Sequence, residues 1–133
     1  MMKIVDKFLV EQKVETKDRK TINVDFDGVV HSYSRGYHDG TIYDVPQEGC
    51  REALQLLKDK GYKLICFSAR VNAHVPGNGR TAIKEWLQKY NLLEFFDDIT
   101  DTKYPSLVII DDSAVRHTSW ENTLKKLERL GYV

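Results

Sequence analysis

Cysteine is scarce in this 133-residue chain. Cys50 and Cys66 make neither a disulfide framework nor a zinc site, because no second Cys or His stands at ligand spacing from either. They lie in stretches patterned as helix and strand, and read as small buried hydrophobes in a reducing compartment. A charge excess is also missing: 20 Lys and Arg balance 20 Asp and Glu. That argues against a non-specific nucleic-acid binder, which carries a basic surplus, and leaves nucleic acid only as a substrate. No apolar run approaches the ~18 residues that span a bilayer, and no apolar stretch behind a basic flank opens the chain. No membrane partner and a cytoplasmic location are the expectation. Repeats and low-complexity tracts are absent as well.

What is present suits a single globular unit. The hydrophobic fraction of 41%, with 11% aromatic, excludes wholesale disorder, and the length fits one domain with its own core. Residues 1–19 are charge-rich with one apolar island, Phe8-Leu9-Val10. They read as a short added helix or strand lying on the core, or as a loose arm; residues 20–133 form the core domain.

Within that core, 21–26 is β-branched and bounded by Gly28, and reads as a strand. Residues 31–46 are polar and aromatic by turns, which predicts a loop or small hairpin, here called the flap. Pro46-Gln47-Glu48 is expected to open a helix with Cys50, Ala53, Leu54 and Leu57 at helical spacing, closed by Gly61. Residues 62–67 read as a second strand covered on both faces. A glycine-bearing connector at 75–80 leads to a helix with Ile83, Trp86, Leu87 and Tyr90 on one face. Ile99 marks a very short strand, 106–110 another, and a last helix carries Leu124, Leu127 and Leu130, expected in the core. Strands alternating with helices predict an α/β sandwich on a mostly parallel sheet.

Reactive side chains gather where the apolar strands end. The first closes on Asp25, with Asp27 two residues on; the second on Ser68-Ala69-Arg70; the third on Asp111-Asp112, with Lys103 just ahead of it. In a parallel α/β sheet these carboxyl ends line the ligand crevice. Clustered carboxylates repel, and a hard divalent cation with oxygen ligands, Mg²⁺ rather than zinc, relieves the repulsion. Each element alone is better explained by a turn, a cap or a surface charge; their occurrence together, in this order, favours a site.

Val24-Asp25-Phe26-Asp27-Gly28-Val29-Val30 resembles the first motif of the haloacid dehalogenase superfamily, Phe67-Ser68-Ala69-Arg70 the second, Lys103 the third, and Val108-Ile109-Ile110-Asp111-Asp112 the fourth. The resemblance covers roughly residues 20–120. It implies a Rossmann-like three-layer sandwich and a Mg²⁺-dependent phosphohydrolase acting on a phosphate monoester. Asp25 would be the nucleophile, forming an aspartyl-phosphate, and Asp27 the acid and base. Ser68 and Lys103 would hold phosphoryl oxygens. The metal would rest on Asp25, the Asp27 carbonyl and Asp111, with Asp112 orienting a metal-bound water or Lys103. Arg70, His31 and Tyr33 are candidate substrate contacts.

The stretches after the first and second motifs are too short for a cap domain. That implies an open site, suited to a large substrate such as a macromolecular end, or covered by a partner subunit in a homo-oligomer; a small phosphorylated molecule is the other substrate class. A phosphotransferase with a non-water acceptor, and a non-catalytic binding module on the same fold, are the rival readings. His31, His38, His74 and His117 all fall in loops, none spaced as a transition-metal ligand pair. The fourth motif departs from the family pattern, with Ser113 after Asp112 and Arg116 only later.

Overall fold

The structure, a computed structural model, describes residues 20–133. The expectations for residues 1–19 lie outside the described residues. The chain runs β1 (Thr21–Asp25), α1 (Cys50–Asp59), β2 (Lys63–Phe67), α2 (Gly79–Lys89), β3 (Asp98–Thr100), β4 (Val108–Ile110) and α3 (Trp120–Arg129). The four strands form one sheet in the order β3-β2-β1-β4, and every pairing is parallel. This is an α/β fold, as the alternation of patterns predicts.

β2 carries the middle of the sheet. Leu64, Ile65 and Cys66 are all fully buried, as a strand flanked on both edges and covered on both faces requires. Each such aliphatic side chain contributes about 1.5–3 kcal/mol by leaving water. α2 buries Ile83, Trp86 and Leu87, and Trp86 meets Phe26 edge to face at 5.2 Å between ring centroids. The expected short strand around Ile99 forms, and Ile99 joins the core.

The first helix begins later than its sequence suggests. Gln47 N–H donates to the Val30 carbonyl, and Pro46 bridges antiparallel to His31. Those bonds fold 46–47 back onto the end of the β1 loop, so the helix starts only after Gly49, which takes φ +80°. The third apolar run also forms a shorter strand than 106–110. Ser106 Oγ instead accepts from the amide of Asn23, whose Nδ2 also donates to the Tyr104 carbonyl.

The C-terminal helix departs most from expectation. Leu124 and Leu130 are half or more exposed, and the apolar residues of β4 are exposed by 37% to 47%. The spacing that makes α3 amphipathic is present, but among the described residues its apolar side is not packed into the core. Among the described residues β4 is an edge strand, paired to β1 alone. The leucines near the C-terminus are therefore not core residues of the described structure, whereas Trp86 is.

Candidate functional site

The strand order places the site. From β1 the chain moves to β2 on one side of the sheet and returns to β4 on the other, so the connections diverge between β1 and β4. Ligands in open α/β sheets bind in the crevice beyond the strand ends at such a point. Asp25 is the last residue of β1, and Val24 stands beside Ile110 of β4, so Asp25 and Asp111 emerge as neighbours. One carboxylate oxygen each from Asp25, Asp111 and Asp112 lie within 4.8 Å of one another. Ser68 follows Phe67, the register partner of Asp25, and completes the row.

The three acids strain one another electrostatically. Burial, and next the charge of Asp111, push the Asp25 carboxyl up to about 7. A bond from the Phe26 backbone pulls the other way, and the charge and hydrogen bond of Asp112 add to the rise. Asp112, expected only to support the metal site from behind, stands within ligand reach. Gly28 makes room for it: a Cβ there would fall 1.9 Å from Asp112 Oδ2, and the backbone at φ +83° favours glycine in any case. The donor set is all oxygen and doubly or triply anionic, which fits a hard divalent cation such as Mg²⁺. Asp111 keeps its orientation through Oδ1, which accepts from the Ser113 N–H at 2.8 Å.

Asp27 is not in that cluster. Phe26 O accepts from both Val30 N–H and His31 N–H, closing a tight turn that sends the Asp27 side chain toward the flap. Asp27 Oδ2 accepts from Arg70 Nε at 2.7 Å, and Oδ1 is 2.8 Å from His31 Nδ1. The Asp44 N–H donates to His31 Nε2 at 3.1 Å, so Nε2 is the bare nitrogen and Nδ1–H donates to Asp27. The clamp uses two of the roughly four acceptor positions of the carboxylate and leaves the others free.

The remaining expected site residues divide. Ser68 is buried, and its Oγ accepts from the Arg70 N–H, capping the short 3₁₀ turn at Ala69–Val71; its own O–H remains able to donate. Lys103 is exposed, with Nζ 5.6 Å from the Phe67 ring centroid, and among the described residues it has no ion pair. It thus stands at the strand-end edge without touching the acids. Arg70 is buried and engaged by Asp27, by the Gly40 carbonyl and by the faces of Tyr33 and Tyr37. His31 is wholly buried with both nitrogens occupied, so its role as a substrate contact gives way to a supporting one. Tyr33, in the left-handed region at φ +57°, stays partly open beside Arg70.

Sequence reasoning missed Asp44, Gly40 and Asn23. The first two act through backbone groups that carry no sequence signal. Asn23 had one, a polar residue inside an apolar strand, and it ties the segment carrying Lys103 to β1. The histidines form no metal site: the acid cluster is the sole group of potential ligands among the described residues. Both thiols are unpaired and raised by burial, that of Cys50 to about 11; Cys66 is buried as expected, whereas Cys50 is only partly so.

No protein-family model matches the chain, and no curated protein matches it. Among solved structures it is similar to an uncharacterized protein from Listeria monocytogenes serotype 4b, at 15% identity and a TM-score of 0.46, over 86% of this chain and 62% of that one.

Proposed function

We propose that this chain is a Mg²⁺-dependent phosphohydrolase with a capless, Rossmann-like core of the haloacid dehalogenase type, cleaving a phosphate monoester. One observation carries the reading: three carboxylates from two distant segments converge at the switch point of a parallel sheet, and burial with mutual repulsion raises the central one, Asp25, to about 7. Carboxyls raised by burial and by neighbouring charge are concentrated at functional sites, which supports this reading.

In this reading the Asp25 carboxylate attacks phosphorus, forming the acyl-phosphate while the bridging oxygen leaves. Asp27, two residues on and aimed at the flap, accepts from Arg70 and His31 as a carboxylate; it takes up a proton from solvent and passes it to the leaving oxygen. It then takes a proton from the water that cleaves the acyl-phosphate. The Ser68 hydroxyl and Lys103 receive the phosphoryl oxygens; Lys103 moves from above the Phe67 ring to do so. Asp25, Asp111 and Asp112 would hold Mg²⁺, which supplies charge neutralisation for the acids and the phosphoryl group. The substrate lies against the flap, with the partly open Tyr33 beside it. Residues 26–49 and 68–78 add no second domain over the crevice, which suits a bulky phosphorylated substrate.

The test is hydrolysis of an aryl phosphate with and without millimolar Mg²⁺, beside Asp25→Asn. Turnover that requires Mg²⁺ and vanishes in the folded variant is expected. Turnover that survives a chelator, or survives in Asp25→Asn, would overturn the assignment.

A further inference from the structure

We propose that His31 and Arg70 are positioning residues that couple the flap to the Asp27 carboxylate, so that the placement of the flap and the orientation of the acid/base are set together. Two arms run from the two oxygens of Asp27. Along the first, Oδ1 accepts from His31 Nδ1–H, His31 Nε2 accepts from the Asp44 N–H, and the Asp44 carbonyl accepts from Trp86 Nε1–H at 3.0 Å. Along the second, Oδ2 accepts from Arg70 Nε–H, and Arg70 Nη1–H donates to the Gly40 carbonyl at 2.7 Å. The arms reach the flap at two points four residues apart. A rigid-body shift of the flap therefore cannot leave both oxygens of Asp27 where they are.

Burial makes the coupling stiff. His31 is wholly buried and Arg70 has 7% of its surface exposed, so any bond broken within the arms strands a polar group in a dry site. Arg70 already carries one such group, a buried Nη2 without a partner. The aromatic packing blocks relaxation: His31 lies between Phe26, at 5.5 Å, and Tyr43, at 5.3 Å, between ring centroids. The flap itself is internally braced, Ser34 bonding Asp44 Oδ2 through both N–H and Oγ, and Tyr43 Oη bridging Arg35 N–H and the Gly36 carbonyl. These bonds tie the flap into one unit, and two of its backbone groups are linked to the orientation of one carboxylate.

The catalytic half of this inference rests on the phosphohydrolase reading, whereas the mechanical half does not, and the experiment separates them. Amide hydrogen exchange is measured across residues 32–45 in the wild type and in Asp27→Ala. The expected result is exchange at the Asp44 amide faster by roughly 10- to 100-fold, with the amides of β2 unchanged. Unchanged exchange at Asp44 overturns the coupling, whatever the chain hydrolyses. In the kinetic arm, His31→Phe keeps a buried ring and loses both hydrogen bonds. It should lower kcat for an alkyl phosphate by roughly tenfold or more, leaving KM and the aryl phosphate rate within about twofold. His31→Asn, which restores a short donor facing Asp27, should recover most of the alkyl rate while the Asp44 amide still exchanges fast. Equal losses on both esters, or a change confined to KM, overturns the positioning role. A wild type that cleaves neither ester fails the proposed function and leaves the exchange result to decide the coupling.

Discussion

Replacing Asp25 with Asn should stabilise the metal-free protein while abolishing its activity. The argument is one of linkage. Asp25 titrates near 3.8 when unfolded and near 7 in the folded chain, so between those values the folded state holds a proton that the unfolded state has released. Stability must then fall as pH rises from about 4 to about 7, and level off above. A shift of some three units corresponds to at most about 4 kcal/mol, since one unit is 1.36 kcal/mol. Asp25 is partly open to solvent and the neighbouring acids relax, so about 2–3 kcal/mol is the expected loss. Asparagine removes the charge and keeps an N–H able to donate to Asp112.

The assay is thermal unfolding of wild type and Asp25→Asn in a chelator across pH 4.5–8. At the alkaline end the variant should melt roughly 5–10 °C higher, and the two curves should converge near pH 4.5. Adding Mg²⁺ should raise the wild type and close the gap, because the cation neutralises the cluster that asparagine has already weakened. A variant that melts at or below the wild type at pH 8, or a wild type whose stability does not fall between pH 5 and 7, refutes the electrostatic reasoning. Asp44, held down to about 2 by bonds from Ser34 and then from the Val45 backbone, contributes in the opposite sense and in a lower window. Its stabilisation is complete above about pH 4 and is lost only on further acidification.

Three further outcomes are expected. Asp27→Asn should lose activity on alkyl phosphates by about 10²–10⁴-fold and far less on aryl phosphates, which leave without a proton; equal losses would remove Asp27 from the acid role. Gly28→Ala drives a methyl to 1.9 Å from Asp112 Oδ2 at a positive φ; about 1–3 kcal/mol should be lost, together with the melting shift that Mg²⁺ produces, and a variant keeping that shift would show Asp112 to be dispensable for the metal. Gly79→Ala places a Cβ 1.8 Å from the Arg70 carbonyl, so α2 must move away from the turn that carries Arg70; flap amides should exchange faster, and unchanged exchange would mean the contact yields without consequence.

The parts of this molecule that the sequence discloses are those where one residue type has one cause. Leu64, Ile65 and Cys66 are apolar without alternation because the strand has neighbours on both sides, and Asp25, Ser68 and Asp111 sit at strand ends because that is where β1, β2 and β4 open on a crevice. The helix start at Cys50 was hidden because Gln47 spends its N–H on Val30, a pairing between residues 17 apart that no local pattern records. The exposure of Leu124 was hidden because helical spacing tells which side of α3 is apolar and not what lies against it.

Asp25 and Asp27 show how much chemistry a turn of three residues adds to a motif. Alternation along a continuing strand would put both carboxylates on one face, in one environment. The turn closed on Phe26 O breaks the alternation. Asp25 then faces Asp111 and Asp112, where repulsion and burial favour its neutral form in the absence of a cation. Asp27 faces Arg70 Nε–H and His31 Nδ1–H, an environment made of donors. Two carboxylates of identical chemistry, two positions apart, are thus set into opposite surroundings, and in the proposed mechanism Asp25 needs the cation to hold the ionised form its attack requires. The division depends on Gly28, whose positive φ permits the turn and whose missing side chain leaves the space Asp112 occupies.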